Sequence, residues 1–182
     1  MMLKREEKMR ENILKFSEKK VISVGEYPSS FLFVRFLYKT NFLKEHGLFF
    51  PNYKRFEDPP FLTKVLSLKP KIAVVPENVY TYRLSHKVHL HNFDTYSDIL
   101  SGVEDCMDIY LKNKMPQHAK DIIRELSSRE EYYKRYIKVL ESIEAIQMKI
   151  DKIRHKYSFY SCLEKINVFN IKTNVKQELV TL

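Results

Sequence analysis

Apolar and polar positions follow two different patterns along the chain. Between residues 95 and 113, and again between 133 and 157, apolar residues recur at steps of three or four, the spacing of one helix face. The second pattern runs without interruption and predicts one long amphipathic helix. Before residue 92, short apolar runs alternate with proline, glycine and polar residues, which predicts short strands and helices. The predicted fold class is therefore α/β in the first half and all-helical in the second.

The first part of the chain contains a buried segment and two short helices. Residues 3–20 are predicted to form a charged helix with few apolar positions. Residues 30–39 are dense in Phe, Leu, Val and Tyr and are predicted to be buried, and both a strand and a helix fit their pattern. A short helix is predicted at 42–46, where Gly47 ends it because glycine readily adopts the left-handed conformation at a helix C-terminus.

A proline pair introduces the next set of elements. Asp58 is predicted as the N-cap of a helix at 61–68, with the prolines before Phe61 in its first turn. Residues 71–76 and 79–84 are predicted strands, and 85–92 a polar loop. These assignments divide the chain into an N-terminal charged helix at 1–20, an α/β part at 21–94, a helical region at 95–157 and a C-terminal tail at 158–182.

The composition of the chain limits where the protein is expected to lie and what it is expected to bind. The 182 residues include 32 Lys and Arg against 23 Asp and Glu, a formal charge of +9, which suits nucleic acid, an anionic membrane surface or a phosphorylated substrate. No nucleic-acid motif accompanies this charge, so nucleic acid is an unlikely partner. The two cysteines form no CxxC pair, and the charged N-terminus does not resemble a signal peptide. Because no long apolar run is present either, we expect a cytoplasmic protein.

Glu57 and Asp58 are the pair with the clearest chemical potential. Two adjacent carboxylates at a helix start lie where free backbone N–H groups and the helix dipole stabilise negative charge. Such a placement predicts that Asp58 is ionised at neutral pH and able to act as a general base toward a hydroxyl. The alternative is a helix cap followed by a first-turn acid, with no catalytic role.

Four separate pieces of sequence carry a family resemblance. They are RFLYKTNFLKEHGLFFP at 35–51, FEDPPF at 56–61, KIA at 71–73 and VYTYR at 79–83. In this order and spacing, residues 31–83 resemble the C-terminal, acceptor-side half of a family 2 glycosyltransferase with a GT-A fold. The related enzymes build bacterial capsules, lipo-oligosaccharides and other surface glycans. The resemblance implies a partial GT-A-like sheet with helices in the first half of the chain.

The resemblance also implies roles for individual residues. Asp58 would take the proton from a sugar hydroxyl that attacks the anomeric carbon of a nucleotide sugar, and Glu57 would bind the acceptor or orient the loop. Tyr82 and Arg83 would contribute to substrate binding. The Arg83 guanidinium would face the diphosphate or hold the Glu-Asp loop through a bidentate pair, and a purely structural salt bridge is equally compatible.

A divalent metal, Mn²⁺ or Mg²⁺, is expected for the intact family. The resemblance makes His89 and His91 candidate ligands, because a histidine in the corresponding loop of some relatives binds the metal, and the two side chains would point the same way if the segment were extended. The alternative is that they are solvated loop histidines. The family's Asp-x-Asp metal motif and a glycine-rich phosphate loop are missing from the sequence. About 90 to 100 residues of the donor-binding half are therefore expected to be absent, given usual domain sizes. This predicts a truncated enzyme, split-gene product or remnant that is inactive without a separate donor-binding half.

A second hypothesis makes the chain a non-catalytic interaction module. The predicted helix over 128–157 has a narrow apolar stripe and eight Lys and Arg against five acids. Such a helix fits a dimer interface or an anionic lipid surface, and so a peripheral position at the inner membrane. A lipid-linked or glycan acceptor would suit the same location. The other interpretation is that the stripe simply covers the α/β part of the chain.

Overall fold

The computed structural model describes residues 16–27, 29–31, 33–77, 80, 92–136 and 140–158, with the backbone alone for 128–136 and 140–143. This part of the chain is mostly helical, with a small two-stranded antiparallel sheet. Short 3₁₀ helices lie at Val24–Glu26 and Phe33–Arg35. In chain order the other elements are β1 (Lys20–Ile22), α1 (Thr40–Glu45), α2 (Asp58–Ser67), β2 (Ile72–Val74), α3 (Phe93–Lys112), α4 (Pro116–Tyr136) and α5 (Leu140–Tyr157).

The sheet joins two segments that lie far apart in sequence. Lys20 of β1 pairs with Val74 of β2, and Ile22 pairs with Ile72. The strand predicted at 71–76 is confirmed in its central residues. The helix predicted for 3–20 is wrong at its end, where β1 begins instead, because the β-branched pair after Lys20 finds a pairing partner in β2. Residues 1–15 of that predicted helix lie outside the described residues.

The short elements before the sheet's second strand follow the sequence pattern only in part. The helix predicted at 42–46 is present as α1, and Gly47 after it has a positive φ of 59°, as a helix-ending glycine should. Residues 30–39 form neither a strand nor an α-helix but an irregular segment with one 3₁₀ turn. Its rings are only half-buried where they pack on the core, and Leu37 is fully exposed, so the predicted burial of this segment is wrong for most of its described residues.

Three helices form the second half of the described chain. α3 begins after Asn92, whose side chain accepts the backbone N–H of Thr95, close to the boundary predicted at 92–95. A turn through Lys114, which has a φ of 55°, returns the chain, so that α4 packs back along α3. The core between these helices is formed by fully buried side chains, which include Val103, Cys106, Met107, Tyr110, Ala119, Ile122, Ile123 and Leu126.

The single long helix predicted over 133–157 is wrong. α5 runs parallel to α3: Lys149 Nζ contacts Ser97 Oγ, and further along both helices Lys156 Nζ donates to Glu104 Oε1 at 2.9 Å. α4 runs antiparallel to α3, so α4 and α5 run in opposite directions. The apolar pattern over 133–157 therefore belongs to two helices. Both helices turn an apolar face toward α3, and periodicity alone does not register a reversal of direction.

The apolar stripe of α5 lies in the core. Ile146, Ile150, Ile153 and Tyr157 are each no more than 3% exposed. The stripe therefore packs in the core against α3 of the helical region, whereas the prediction had it cover the α/β part. Within the described ranges, no helix has the length and apolarity needed to cross a membrane.

A buried histidine joins the segment after β1 to α4. The His118 ring is 4% exposed, and its Nε2 lies 2.8 Å from the carbonyl oxygen of Tyr27, to which it donates. The Ser30 hydroxyl in turn donates to the His118 carbonyl at 3.1 Å. Burial lowers the pKa of His118, because the charged imidazolium is poorly solvated there.

This burial predicts acid sensitivity. Below about pH 6.5, the ordinary histidine pKa, the unfolded chain takes up a proton that His118 in the folded chain resists, so the stabilisation it provides is lost as the pH falls. We expect the difference in unfolding free energy between the native chain and His118→Gln to shrink from pH 7.5 to pH 5.0 in urea titrations. The difference between the two chains is measured, and not the stability of the native chain alone, because Asp58 and Asp121 have raised pKa values. These two carboxyls add stability as the pH falls, which is opposite to the effect of His118.

His46→Gln serves as the matched control, because it removes an exposed imidazole and leaves the buried one in place. A His118→Gln difference that is constant over this pH range would show that the buried imidazole does not resist protonation.

Candidate functional site

The Glu57-Asp58 pair lies at the start of α2, as predicted, but the residue that caps the helix is not the predicted one. Asp58 is the first residue of the helix and Glu57 is its N-cap, so the assignment of Asp58 as the N-cap is wrong. The helix also begins earlier than the predicted Phe61, because the fixed φ of Pro59 and Pro60 suits the first helical turn. Both prolines are buried, which fixes the place where α2 starts.

The prolines also change the electrostatics of this helix start. Proline has no N–H, so two of the backbone donors normally free in a first turn do not exist here. The Phe61 N–H is already directed at the Glu57 carbonyl, at 3.4 Å. The negative charge at Asp58 therefore lacks most of the donor groups that a helix N-terminus ordinarily supplies.

The Asp58 carboxylate is partly buried and poorly solvated. Burial, followed by the like charge of Glu57, raises the pKa of Asp58 to about 6, while Arg55 lowers it. No described residue forms a hydrogen bond or ion pair with this carboxylate. The expected ionisation at neutral pH is retained, but the expected cause, stabilisation by the helix N-terminus, is replaced by a balance in which burial opposes the charge.

An aromatic cluster lies beside Asp58. Phe61 of α2 stacks on Phe50, with ring centroids 4.1 Å apart, and meets the edge of Tyr38 at 5.3 Å. Burial, and to a lesser degree the charge of Asp58, raises the pKa of Tyr38, so its hydroxyl lies within electrostatic range of the carboxylate. Phe50 is 47% exposed and Phe49 is 67% exposed. The ring that stacks on the partly exposed Phe50 therefore belongs to Phe61, three residues after Asp58 on α2.

α3 holds the loop that leads into the Glu57-Asp58 pair. The Tyr53 hydroxyl donates to Asp105 Oδ2 at 2.8 Å, and the backbone N–H of Lys54 donates to Asp98 Oδ2 at 2.7 Å. The Lys54 ammonium lies 3.8 Å from Asp94 Oδ2, on the same helix. The acids of α3 thus have a structural role in holding this loop.

Phe56, the residue immediately before the pair, has an unusual backbone. Its φ is 69°, in the left-handed region that a bulky residue rarely adopts, and its ring is buried. The ring packs on Gly102 of α3, where an added Cβ would lie 2.7 Å from Phe56 Cδ1 and 3.2 Å from the Phe56 carbonyl oxygen. An alanine at this point of α3 would therefore force the Phe56 ring and carbonyl to shift.

Cys106 lies deeper in the same region and is not a nucleophile. It is fully buried in α3, and burial raises the pKa of its thiol to about 12. Its role as a small packed apolar group agrees with the expectation for a structural cysteine. The nearby hydroxyls of Thr63 and Tyr110 are also buried, and neither has a hydrogen-bond partner among the described atoms.

Four of the predicted site residues lie outside the described residues: Tyr82, Arg83, His89 and His91. Their roles in substrate and metal binding stay predictions. Among the residues that are described, no group of three or more His, Cys, Asp or Glu side chains is arranged to hold a metal ion.

The residues of α3 that contact the loop before Glu57 were not predicted, although the sequence contains signals for some of them. Gly102 is the one glycine within the pattern over 95–113, and an isolated glycine in a helix often marks a close approach of another segment. Asp94, Asp98 and Asp105 are spaced so that they share a helix face. Tyr53 carried no comparable signal, because its partner lies 52 residues away.

Comparison with known proteins adds no relative: no family model, curated protein or solved structure matches the chain.

Proposed function

We propose that this chain is the acceptor-side part of a glycosyltransferase of bacterial surface-glycan synthesis, with Asp58 as its proton acceptor. In the proposed step an acceptor hydroxyl forms a bond to the anomeric carbon of a nucleotide sugar. The bond from that carbon to the diphosphate breaks, the diphosphate leaves with the electron pair, and the hydroxyl proton passes to Asp58. The observation that carries the proposal is the partly buried Asp58 carboxylate, unpaired among the described residues and three residues before Phe61, whose ring stacks on the partly exposed Phe50.

The state of Asp58 supports a general base. An effective base must be ionised at the working pH and still hold a proton in the transition state, so its pKa should lie not far below neutral. Burial and Glu57 raise the pKa of Asp58 to about 6, which meets both conditions. A carboxylate already bound by Arg or Lys would be a weaker acceptor.

The aromatic surface supports a carbohydrate or glycan acceptor. Sugar rings have an apolar C–H face and polar hydroxyl edges, and aromatic side chains offer a flat apolar surface for such a face. Phe50 stacks on Phe61 of α2 and is 47% exposed, and Phe49 next to it in the chain is 67% exposed. The Tyr38 hydroxyl lies within electrostatic range of Asp58. In this arrangement Glu57 would accept a hydrogen bond from a second acceptor hydroxyl.

The nucleotide sugar would be bound mainly by a separate donor-binding half. Tyr82 and Arg83, and a divalent metal with His89 and His91, belong to this side of the reaction by resemblance alone. The chain by itself is therefore expected to bind an acceptor and to transfer no sugar.

Complementation tests this proposal directly. The chain is mixed with a separately expressed donor-binding half of a GT-A glycosyltransferase, and transfer from a panel of radiolabelled nucleotide sugars to glycan and lipid-linked acceptors is measured. We expect transfer only in the mixture, with neither part active alone. A complex of the two parts that transfers no sugar to any acceptor would contradict the proposal.

A further inference from the structure

We infer that α3 is the positioning element for Asp58: through Asp105 and Gly102 it fixes Tyr53 and Phe56, and thereby the direction in which the chain enters α2. This inference rests on the proposed role of Asp58. Tyr53, Gly102 and Asp105 are accordingly positioning residues, because they act on the carboxylate through the backbone and touch no reacting atom.

Two polar anchors fix the loop along α3. The Tyr53 hydroxyl donates to the Asp105 carboxylate at 2.8 Å, and the Lys54 N–H donates to the Asp98 carboxylate at 2.7 Å. Hydrogen bonds to ionised acceptors are stronger than those between neutral groups. Since the two acids lie about two turns apart on one helix face, they fix both the place and the direction of the loop.

The Tyr53 anchor persists across the working pH range. Burial, together with the hydrogen bond to Asp105, raises the pKa of Tyr53 to about 12, so the hydroxyl keeps its proton and remains a donor. The contact therefore does not switch with pH in the range where Asp58 titrates.

A steric contact completes the arrangement. The left-handed backbone of Phe56 turns the chain immediately before Glu57, and the Phe56 ring and carbonyl rest on the bare Cα of Gly102. Pro60, in the first turn of α2, also lies 3.3 Å from the position of a Cβ on Gly102. Both ends of the Glu57-Asp58 pair are thus held against the same residue of α3.

The causes of the raised pKa of Asp58 show how a change at α3 would alter it. Glu57 raises the pKa of Asp58 and Arg55 lowers it, and the Tyr38 hydroxyl lies in electrostatic range. The largest cause of the raised pKa is burial. Release of the loop from α3 therefore acts on Asp58 by exposing it to water.

The test uses two tyrosines that donate to acids of the same helix. Tyr53 donates to Asp105, and Tyr157 donates to Asp108 at 2.7 Å and to the Glu104 carbonyl at 3.1 Å, so Tyr53→Phe and Tyr157→Phe each remove one hydroxyl anchored on α3 without a change of charge. The Asp58 side-chain carboxyl is titrated by NMR in the full chain. We expect Tyr53→Phe to lower the midpoint from near 6 by more than about half a pH unit, and Tyr157→Phe to leave it in place.

An unchanged midpoint in a folded Tyr53→Phe chain would overturn the inference, as would equal shifts in the two variants, which would indicate general loosening. Gly102→Ala provides a second variant, in which Phe56 must move and the midpoint should fall in the same direction. The titration does not depend on transfer, whereas the base role of Asp58 is tested by transfer alone. A shifted midpoint without transfer in the complemented enzyme would therefore overturn the proposed function and leave the positioning intact.

Discussion

Replacement of Asp58 by asparagine is expected to abolish sugar transfer in the complemented enzyme and, at the same time, to stabilise the chain. Asparagine has nearly the same shape as aspartate but accepts no proton at these pH values. General-base catalysis contributes about a hundredfold or more to rate, so transfer should fall at least by that factor. Survival of transfer at the native rate would show that Asp58 is not the base.

The stability gain follows from the raised pKa of Asp58. Its folded-state pKa of about 6 lies above the ordinary aspartate value, so the folded chain favours the protonated carboxyl. The stabilisation is fully present below about pH 4 and is lost as the pH rises through about 6. Above that pH, Asp58→Asn should be more stable than the native chain by on the order of 1 kcal/mol, after a reduction for solvent screening of a partly exposed group.

Urea unfolding at pH 4, 6 and 8 measures this difference, which should grow with pH. Glu45→Gln, which removes an exposed carboxylate at the end of α1, is the matched control and should change neither transfer nor stability. A stability difference that is the same at every pH would mean that burial of the charge is not its cause. Residues that lower stability while they serve a reaction are common at active sites, and Asp58 would belong to this class.

The elements that were predictable from sequence are those specified by local interactions. α3 was predicted at 95–113 and runs over Phe93–Lys112, because its apolar face is regular and Asn92 caps its start. The helix ending before Gly47 was predictable for the same reason. β1 was not, since its pairing partner β2 lies about 50 residues away in the sequence, and local pattern contains no information about that distance.

The candidate site likewise has features that local sequence predicts and features that depend on tertiary contacts. Glu57 and Asp58 were identified from their place at a helix start, which is a local property. The ionisation of Asp58 was attributed to the helix N-terminus, whereas its pKa is raised to about 6 chiefly by burial, which depends on the tertiary fold. The role of Gly102 depends on a tertiary contact with Phe56 that only the folded chain contains.

Replacement of Ile150 by aspartate is expected to detach α5 and to destabilise the chain by more than about 3 kcal/mol, because an unpaired charge in a packed core is among the most costly substitutions. Ile150 is 1% exposed and faces α3. The expected measurements are a large drop in melting temperature and a loss of amide protection along α5 in hydrogen exchange.

Met148→Asp is the matched control, since Met148 lies on the same helix and is 73% exposed. It should leave both the melting temperature and the amide protection of α5 unchanged. If Ile150→Asp were also neutral, α5 would not be docked on α3.

The same pair of variants separates the two hypotheses for the apolar stripe. A stripe that serves lipid binding predicts that Ile150→Asp weakens binding to anionic vesicles without unfolding the chain. A stripe that completes the core predicts that Ile150→Asp unfolds the chain. Any vesicle binding would then depend on the net charge of +9, and high salt would abolish it in both the native chain and Met148→Asp. The burial of Ile146, Ile150 and Ile153 favours the second result, because side chains already packed on α3 are not available to a membrane.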